Sequence, residues 1–372
     1  MIYLNNAATS WPKAPRVAAT VAKKLHDIPF HADRSGFNSP ASEMNCRSLL
    51  AETLHIIDSS RIIYCCNATH ALNLALYGFP WKQGATVLTT AAEHNAVLRP
   101  LYYLRKHRGI QVEIVSVDSM GRVIPELWEQ AVKKFSPQLA VFTHASNVTG
   151  AIQPVVELSN IAKNGGAATL LDASQTLGVM DVLPDSWSID MVAFTGHKYL
   201  LGPAGTGGLY VANTIELEPV WVGGTGTLSD REDMPPQLPA RLEAGTPNDP
   251  ALAGLAQAIL WQKQQPLDLK AMDEQVAKLS LGFKEFGAKV VEVSSPRMPV
   301  IAFVLPGWKV DEVGEILYKS FDLVCRTGLH CAPLIHKFLV TGEDGNIRVS
   351  LSRFTSIEDI DDTLFAIRDI LL

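Results

Sequence analysis

The sequence predicts an α/β fold, a mostly parallel sheet covered by helices on both faces, with a smaller α+β domain attached. Three observations predict it. Short apolar, β-branched runs alternate with stretches of helical period. Most of those runs are apolar throughout, as strands buried on both faces are. The length, 372 residues, also exceeds what one hydrophobic core usually serves.

The elements follow in order. Between Tyr3 and Ser10 the chain offers Asn5-Asn6-Ala7-Ala8-Thr9, small and polar enough to pass close to a ligand, and Pro12 is placed to open a helix. Residues 41 to 57 carry a helical period. A strand from Ile62 to Cys65 turns through Cys66-Asn67-Ala68 into a helix starting near Thr69. Such a turn gathers unpaired N–H groups and the positive end of a helix dipole, an anion site to which Thr69 would add its hydroxyl. Simple capping by Asn67 or Thr69 explains the same residues.

The run Ala85 to Thr90 ends in Ala91-Ala92-Glu93-His94-Asn95 and places His94 at a strand's carboxyl edge, where open α/β sheets hold ligands. Strands at 111 to 117, 138 to 143 and 167 to 172 continue the alternation. The second runs into His144-Ala145-Ser146-Asn147, and the third delivers Asp172 at the end of an apolar run, with Ser174 and Gln175 close behind. A carboxylate buried there needs a cation or strong donors. Helix capping through Ser174 is the alternative.

The stretch Asp190 to Lys198 is an apolar strand that runs out into Thr195-Gly196-His197 and delivers one lysine. A lysine held against apolar walls and other cations loses part of its charge and becomes a nucleophile able to form a Schiff base. Residues 201 to 211 read as a tight turn feeding another strand. The Gly- and Pro-rich segment from Gly223 to Pro250 is irregular, as functional loops often are. Helical patterns from about Pro250 to Phe286, strands near Val290 and from Pro299 to Val304, and a last helix from Ser356 compose the rest. The expected division is a large domain over 14–248 and a small one from 1–13 and 249–372.

Within the small domain, Arg326-Thr327-Gly328-Leu329-His330-Cys331-Ala332 sets Cys331 in a Gly-containing loop beside a histidine and near an arginine, the setting of a reactive cysteine. Cys65, Cys66 and Cys325 read instead as inert thiols. Arg348 lies in an apolar-flanked strand, Asn346 to Ser350, and calls for a carboxylate partner.

With 47% hydrophobic and 19% charged residues the composition is that of a soluble globular protein, and a net charge of -6 leaves no basic footprint for nucleic acid or membrane. No apolar run is long enough to span a bilayer and Met1 to Asn5 lacks signal-peptide character, so a cytoplasmic location is expected. The cysteines, 5 in number, show no CxxC or zinc spacing, which points to thiols in a reducing compartment and to no metal site.

Taken in chain order, Tyr3 to Thr9, Glu93-His94-Asn95, Ser146 to Gly150, Asp172-Ala173-Ser174-Gln175, Thr195 to Lys198, Glu243 to Asn248, Arg326 to Cys331 and Arg348-Val349-Ser350-Leu351 resemble the class V aminotransferases. Within those pyridoxal-phosphate enzymes of fold type I, the chain is similar to the cysteine desulfurases with an RTGxHC loop. The resemblance implies that Lys198 binds pyridoxal 5'-phosphate covalently, that His94 stacks on its ring, and that Asp172 pairs with the ring nitrogen. It implies Gln175 at the phenolic oxygen with Asn147 beside it. Thr69, Thr195, His197 and the N–H groups near Ala68 would hold the phosphate, with Thr246 completing that site across a homodimer interface.

Arg348 would take the carboxylate of L-cysteine, Lys198 would move the Cα proton, and Cys331 would accept the sulfur as a persulfide for an acceptor protein, leaving alanine. Selenocysteine lyase is a near alternative, and another class V aminotransferase or lyase reaction a second, although transamination needs no thiol. A sulfur-relay binding protein without catalysis would not need Lys198, Asp172 and His94, and the first strand–turn–helix lacks the GxGxxG of a Rossmann protein. Two departures from the pattern stand near the site: Asn5, where many relatives carry Asp, and His70, where an acid is common.

Overall fold

A computed structural model describes residues 1–27 and 45–371. Among these the strands are β1 (Ile2–Tyr3), β2 (Ile62–Cys65), β3 (Thr86–Thr90), β4 (Gln111–Val115), β5 (Leu139–Thr143), β6 (Ala168–Asp172), β7 (Met191–Thr195), β8 (Gly207–Val211), β9 (Lys289–Val290), β10 (Val300–Val304), β11 (Leu323–Val324), β12 (Arg326–Gly328) and β13 (Asn346–Ser350). The α-helices are α1 (Val17–His26), α2 (Cys46–Thr53), α3 (Ala68–Gly78), α4 (Asn95–Arg108), α5 (Pro125–Phe135), α6 (Val155–Asn164), α7 (Asp249–Gln264), α8 (Leu269–Glu285), α9 (Val310–Phe321) and α10 (Ile357–Leu371).

The large sheet has 7 strands in the order β2-β8-β7-β6-β5-β3-β4. Only β8 runs against the others, antiparallel to both β7 and β2. Every residue of β5 and β7 is buried, because each pleat face meets its own layer of helices. Phe142, Val192 and Phe194 pack into one layer, with Trp128 and Leu158. Val141, Met191 and Ala193 point to the other, with Leu72, Leu101 and Leu104. The apolar runs in the sequence are this two-sided burial. Helix α7 adds Leu252, Leu255, Ala256 and Ile259 to the first layer beside Leu50 of α2.

The small sheet has the order β12-β13-β10-β9 and is antiparallel. Strand β13 alternates: Ile347 and Val349 join Phe283, Phe303 and Leu317 in a separate core, while Asn346, Arg348 and Ser350 occupy its opposite face. All five are buried, so the polar face of β13 also lies against protein. Strand β1 runs parallel to β11, and Asn5 bridges to Ser350, which carries the start of the chain onto this sheet.

Four expectations change. No helix opens at Pro12: α1 begins only at Val17, because Ser10 and Ala14 give their N–H groups to the carbonyls of His197 and Leu201 and hold the segment as a loop. The helical period at 41 to 57 yields α2, which stops at Thr53, and its 41–44 part lies outside the described residues. Cys66 lies past the end of β2 and is exposed, unlike buried Cys65. Helix α9 was not anticipated, although Val310, Val313 and Leu317 mark its apolar stripe and all pack into the small core. No helix of the described residues is long and apolar enough to cross a membrane.

Candidate active site

The carboxyl ends of β3, β5, β6 and β7 open onto one cavity of about 260 Å3. Thr195, His197 and Lys198 come from the end of β7 and its turn, and Asp172, Ser174 and Gln175 from the end of β6. Asn147 follows β5, His94 follows β3, and Asn67, Ala68 and Thr69 begin α3. Ala7 and Ala8 close one side and Arg326 of β12 another. Roomier hollows of about 940 and 570 Å3 lie along the 218–241 loop and beside Trp187. Neither is lined by a lysine, so volume is a poor guide to chemistry here.

Lys198 is fixed by its turn. The Gly196 N–H reaches Thr206 O at 2.8 Å, and the Leu201 N–H reaches Lys198 O at 2.8 Å. The His197 carbonyl accepts from the Ser10 N–H at 3.0 Å and from Lys13 Nζ at 2.8 Å. Burial pulls the Lys198 ammonium down to about 8, against the pull of Asp172 and with the help of Arg348 and Arg326. Gly207 lets β8 approach the same turn, since a Cβ there would stand 2.7 Å from Phe194 O and 2.9 Å from Asn67 Cα.

Asp172 caps a turn, since among the described residues no helix follows it before β7. Its Oδ1 accepts the Ser174 N–H at 2.9 Å and the Ser174 hydroxyl, yet the residue still lines the cavity. Gln175 Nε2 donates to Ala7 O at 3.0 Å, and its buried Oε1 has no partner among the described residues. His94 Nδ1 accepts the Ala96 N–H at 3.0 Å and caps α4. That bond assigns the ring proton to Nε2. Burial first, and then the Lys198 charge, keep this imidazole well below its ordinary value and therefore neutral.

At α3, Asn67 Oδ1 takes the His70 N–H at 2.9 Å. The N–H groups of Ala68 and Thr69 have no partner within the helix. His197 Nδ1 meets Thr9 Oγ1 at 3.0 Å, and burial, with Lys198 and Lys13 nearby, lowers its pKa to about 4. Thr246 is exposed and does not line the cavity of its own chain.

Arg348 is fully buried and lies outside the lining of the cavity. Its Nη1 donates to Asn147 O at 2.8 Å and its Nη2 to Asn5 Oδ1 at 3.0 Å, while Nε has no partner among the described residues. Burial, with Arg326 nearby, lowers it to about 10. Among the described residues no carboxylate pairs with it. Cys331 follows β12 and is partly buried, its Sγ 3.1 Å from Arg326 Nη2. The loop is anchored by Asn147 Nδ2 on His330 O at 2.8 Å and by the Asn95 N–H on Cys331 O at 2.6 Å.

Two residues escaped the sequence reading, and a third was only partly read. Arg326 stood there as the arginine near Cys331 and not as a residue of the cavity, Glu93 stood in a quoted motif without a role, and Lys13 had no signal at all. Glu93 is fully buried, accepts from Thr90 Oγ1 at 2.6 Å and from the Thr143 N–H at 3.0 Å, and leaves Oε2 unpaired among the described residues. Burial raises its carboxyl to about 8, against those two donors and with Asp172 adding to the rise. A carboxyl raised in the folded state binds its proton more tightly than in the unfolded chain. Stability should therefore decline as pH rises from the ordinary carboxylate range towards about 8. Glu93→Gln removes this titration, and its melting temperature should gain on the parent's as pH rises from about 5 to 8. Equal slopes would show that Glu93 is ionised.

The sheet edge thus brings together a lysine with a lowered pKa, an aspartate and a neutral imidazole. Residues 2–363 match the family model described as Aminotransferase class-V, and the chain belongs to that family. Its relatives carry a more particular name. A probable cysteine desulfurase of Methanothermobacter thermautotrophicus is 31% identical over 315 residues, 81% of this chain and 77% of that one. Another, of Pyrococcus abyssi, is 29% identical over 395 aligned positions, with 100% of this chain and 94% of that one covered. The apo structure of a cysteine desulfurase from Thermococcus onnurineus NA1 superposes with a TM-score of 0.89 at 26% identity, covering 100% of this chain and 94% of that one.

Proposed function

We propose that this chain is a pyridoxal-phosphate-dependent L-cysteine desulfurase. One observation carries the proposal: a lysine with a lowered pKa lines the cavity that Arg326 also lines, and Arg326 holds the Cys331 sulfur at 3.1 Å. The reaction balances without an outside oxidant. The sulfur of L-cysteine forms a bond to Cys331 Sγ as its bond to carbon breaks, giving a persulfide on the chain and alanine.

The cavity residues fit pyridoxal phosphate. The unpaired N–H groups of Ala68 and Thr69, with the hydroxyls of Thr69 and Thr195 and with His197, suit a phosphate. Asp172 suits the protonated ring nitrogen, neutral His94 its face, and Gln175 the phenolic oxygen beside an amide oxygen already without a partner. When bound, the cofactor supplies an electron sink for charge developing at the substrate's α-carbon. Lys198 Nζ attaches the cofactor and moves protons at that carbon. Arg348 and Asn147 would bind the substrate carboxylate, the arginine turning its terminal nitrogens from Asn147 O and Asn5 Oδ1 towards the cavity. Thr246, on its exposed loop, would complete the phosphate site of a second copy in a homodimer, and a persulfide acceptor protein would remove the sulfur.

Lys198 also sets a pH dependence that needs no turnover. Only the neutral amine attacks an aldehyde, and its fraction grows about tenfold per pH unit below the pKa. Covalent attachment of pyridoxal phosphate to the ligand-free protein should therefore accelerate from pH 6 and level off above about 8. Absorbance and borohydride trapping follow it, and a rate still climbing steeply at pH 10 would place Lys198 in an ordinary aqueous setting. The activity itself is tested by measuring alanine and sulfide from cysteine under a reductant. A protein loaded with cofactor that yields neither would overturn the assignment.

A further inference from the structure

Strands β12 and β13 set two arginines face to face. In their antiparallel register Arg326 lies directly opposite Arg348, so both side chains leave the same face of the sheet. Like charges so placed repel, and among the described residues neither has a carboxylate partner. The two are not equivalent. Arg348 is fully buried and tied by both terminal nitrogens to Asn147 O and Asn5 Oδ1. Arg326 is only partly buried, lines the cavity, and points Nη2 at the Cys331 sulfur.

The loop leaves the sulfur little else to be decided. His330 and Cys331 both have left-handed backbones, φ 50° and 60°, which side chains other than glycine rarely adopt. Their carbonyls are held by Asn147 and Asn95, and His330 Nε2 meets Asn346 Oδ1 at 2.8 Å. At the base of the loop Gly345 passes so close to Gly328 that a Cβ would stand 2.5 Å from its carbonyl. The backbone is thus fixed on both sides, and the remaining freedom is the Cys331 side-chain rotation.

We infer that Arg326 is a positioning residue for the Cys331 sulfur, a role separate from the arginine kept for the substrate carboxylate. Its guanidinium selects the Cys331 rotamer that holds the sulfur beside the cavity this arginine lines, and the same N–H group stays beside that sulfur when the new S–S bond forms. The kinetic consequence rests on the desulfurase reading, whereas the thiol's accessibility to a reagent does not.

The test compares Arg326→Met and Arg326→Lys with the parent. Iodoacetamide alkylation of the native protein, read by peptide mass spectrometry, uses exposed Cys66 as an internal reference in the same molecule. Arg326→Met should lower the Cys331-to-Cys66 rate ratio by about tenfold, with Arg326→Lys recovering part of it. A ratio unchanged or raised in Arg326→Met overturns the inference. With cysteine as substrate, Arg326→Met should lower kcat by about tenfold or more while KM stays within about threefold. A raised KM with kcat preserved would assign Arg326 to the carboxylate and overturn it too. Should the parent release no alanine, the desulfurase reading fails and the alkylation ratio alone judges the arginine.

Discussion

Lys198→Ala should abolish covalent attachment of pyridoxal phosphate and cut alanine formation from cysteine by at least about a thousandfold, since it removes both a nucleophile and a positioned base. The size of the effect follows from the absence of a substitute. Among the cavity-lining residues Lys198 is the only lysine, and Lys13 is committed to His197 O, Thr9 and Ser10. His94 is neutral but has given Nδ1 to the Ala96 N–H. Fold stability should hardly suffer, because the variant deletes a buried ammonium that has no carboxylate salt bridge among the described residues. Intact mass after borohydride reduction and an alanine assay check the outcome together. Residual turnover within tenfold of the parent would move the base to another residue.

The same lysine shows what the sequence could disclose. Lys198 was legible because β7 is buried on both faces and so reads as an unbroken apolar run that stops at Thr195. Asp172 was legible for the same reason, as the acid that ends β6, and His94 as the ring that opens the helix just beyond β3. Pairings across the chain were not. The seating of β1 on β11 and of Asn5 beside Arg348 joins residues more than three hundred positions apart, and no local pattern announces it. Which arginine faces the cavity depends on the β12–β13 register, since the pattern Arg-x-Gly on one strand and Asn-x-Arg on the other fixes faces but not partners. Lys13 lay in a stretch read as the start of a helix, where an exposed lysine is the ordinary case.

Cys331→Ala should retain cofactor absorbance, because Cys331 Sγ lies outside the cavity lining, and should lose sulfur transfer outright. No other thiol can replace it. Cys46, Cys65 and Cys325 have pKa values pushed well up by burial, the first and last to about 12. Cys66 is exposed but belongs to the turn before α3 and does not line the cavity. The substitution removes one sulfur from a loop whose backbone is held by Asn147, Asn95 and Asn346 through other atoms, so loss of activity would not reflect loss of the loop. Alanine keeps a Cβ in the same left-handed backbone, which adds no new conformational demand at 331. Incubation with cysteine followed by intact-mass measurement should show one added sulfur on the parent and none on the variant, and alanine release should fall by about a hundredfold or more. A variant that releases alanine at the parent rate would mean that another thiol, on the chain or in the added reductant, accepts the sulfur in place of Cys331.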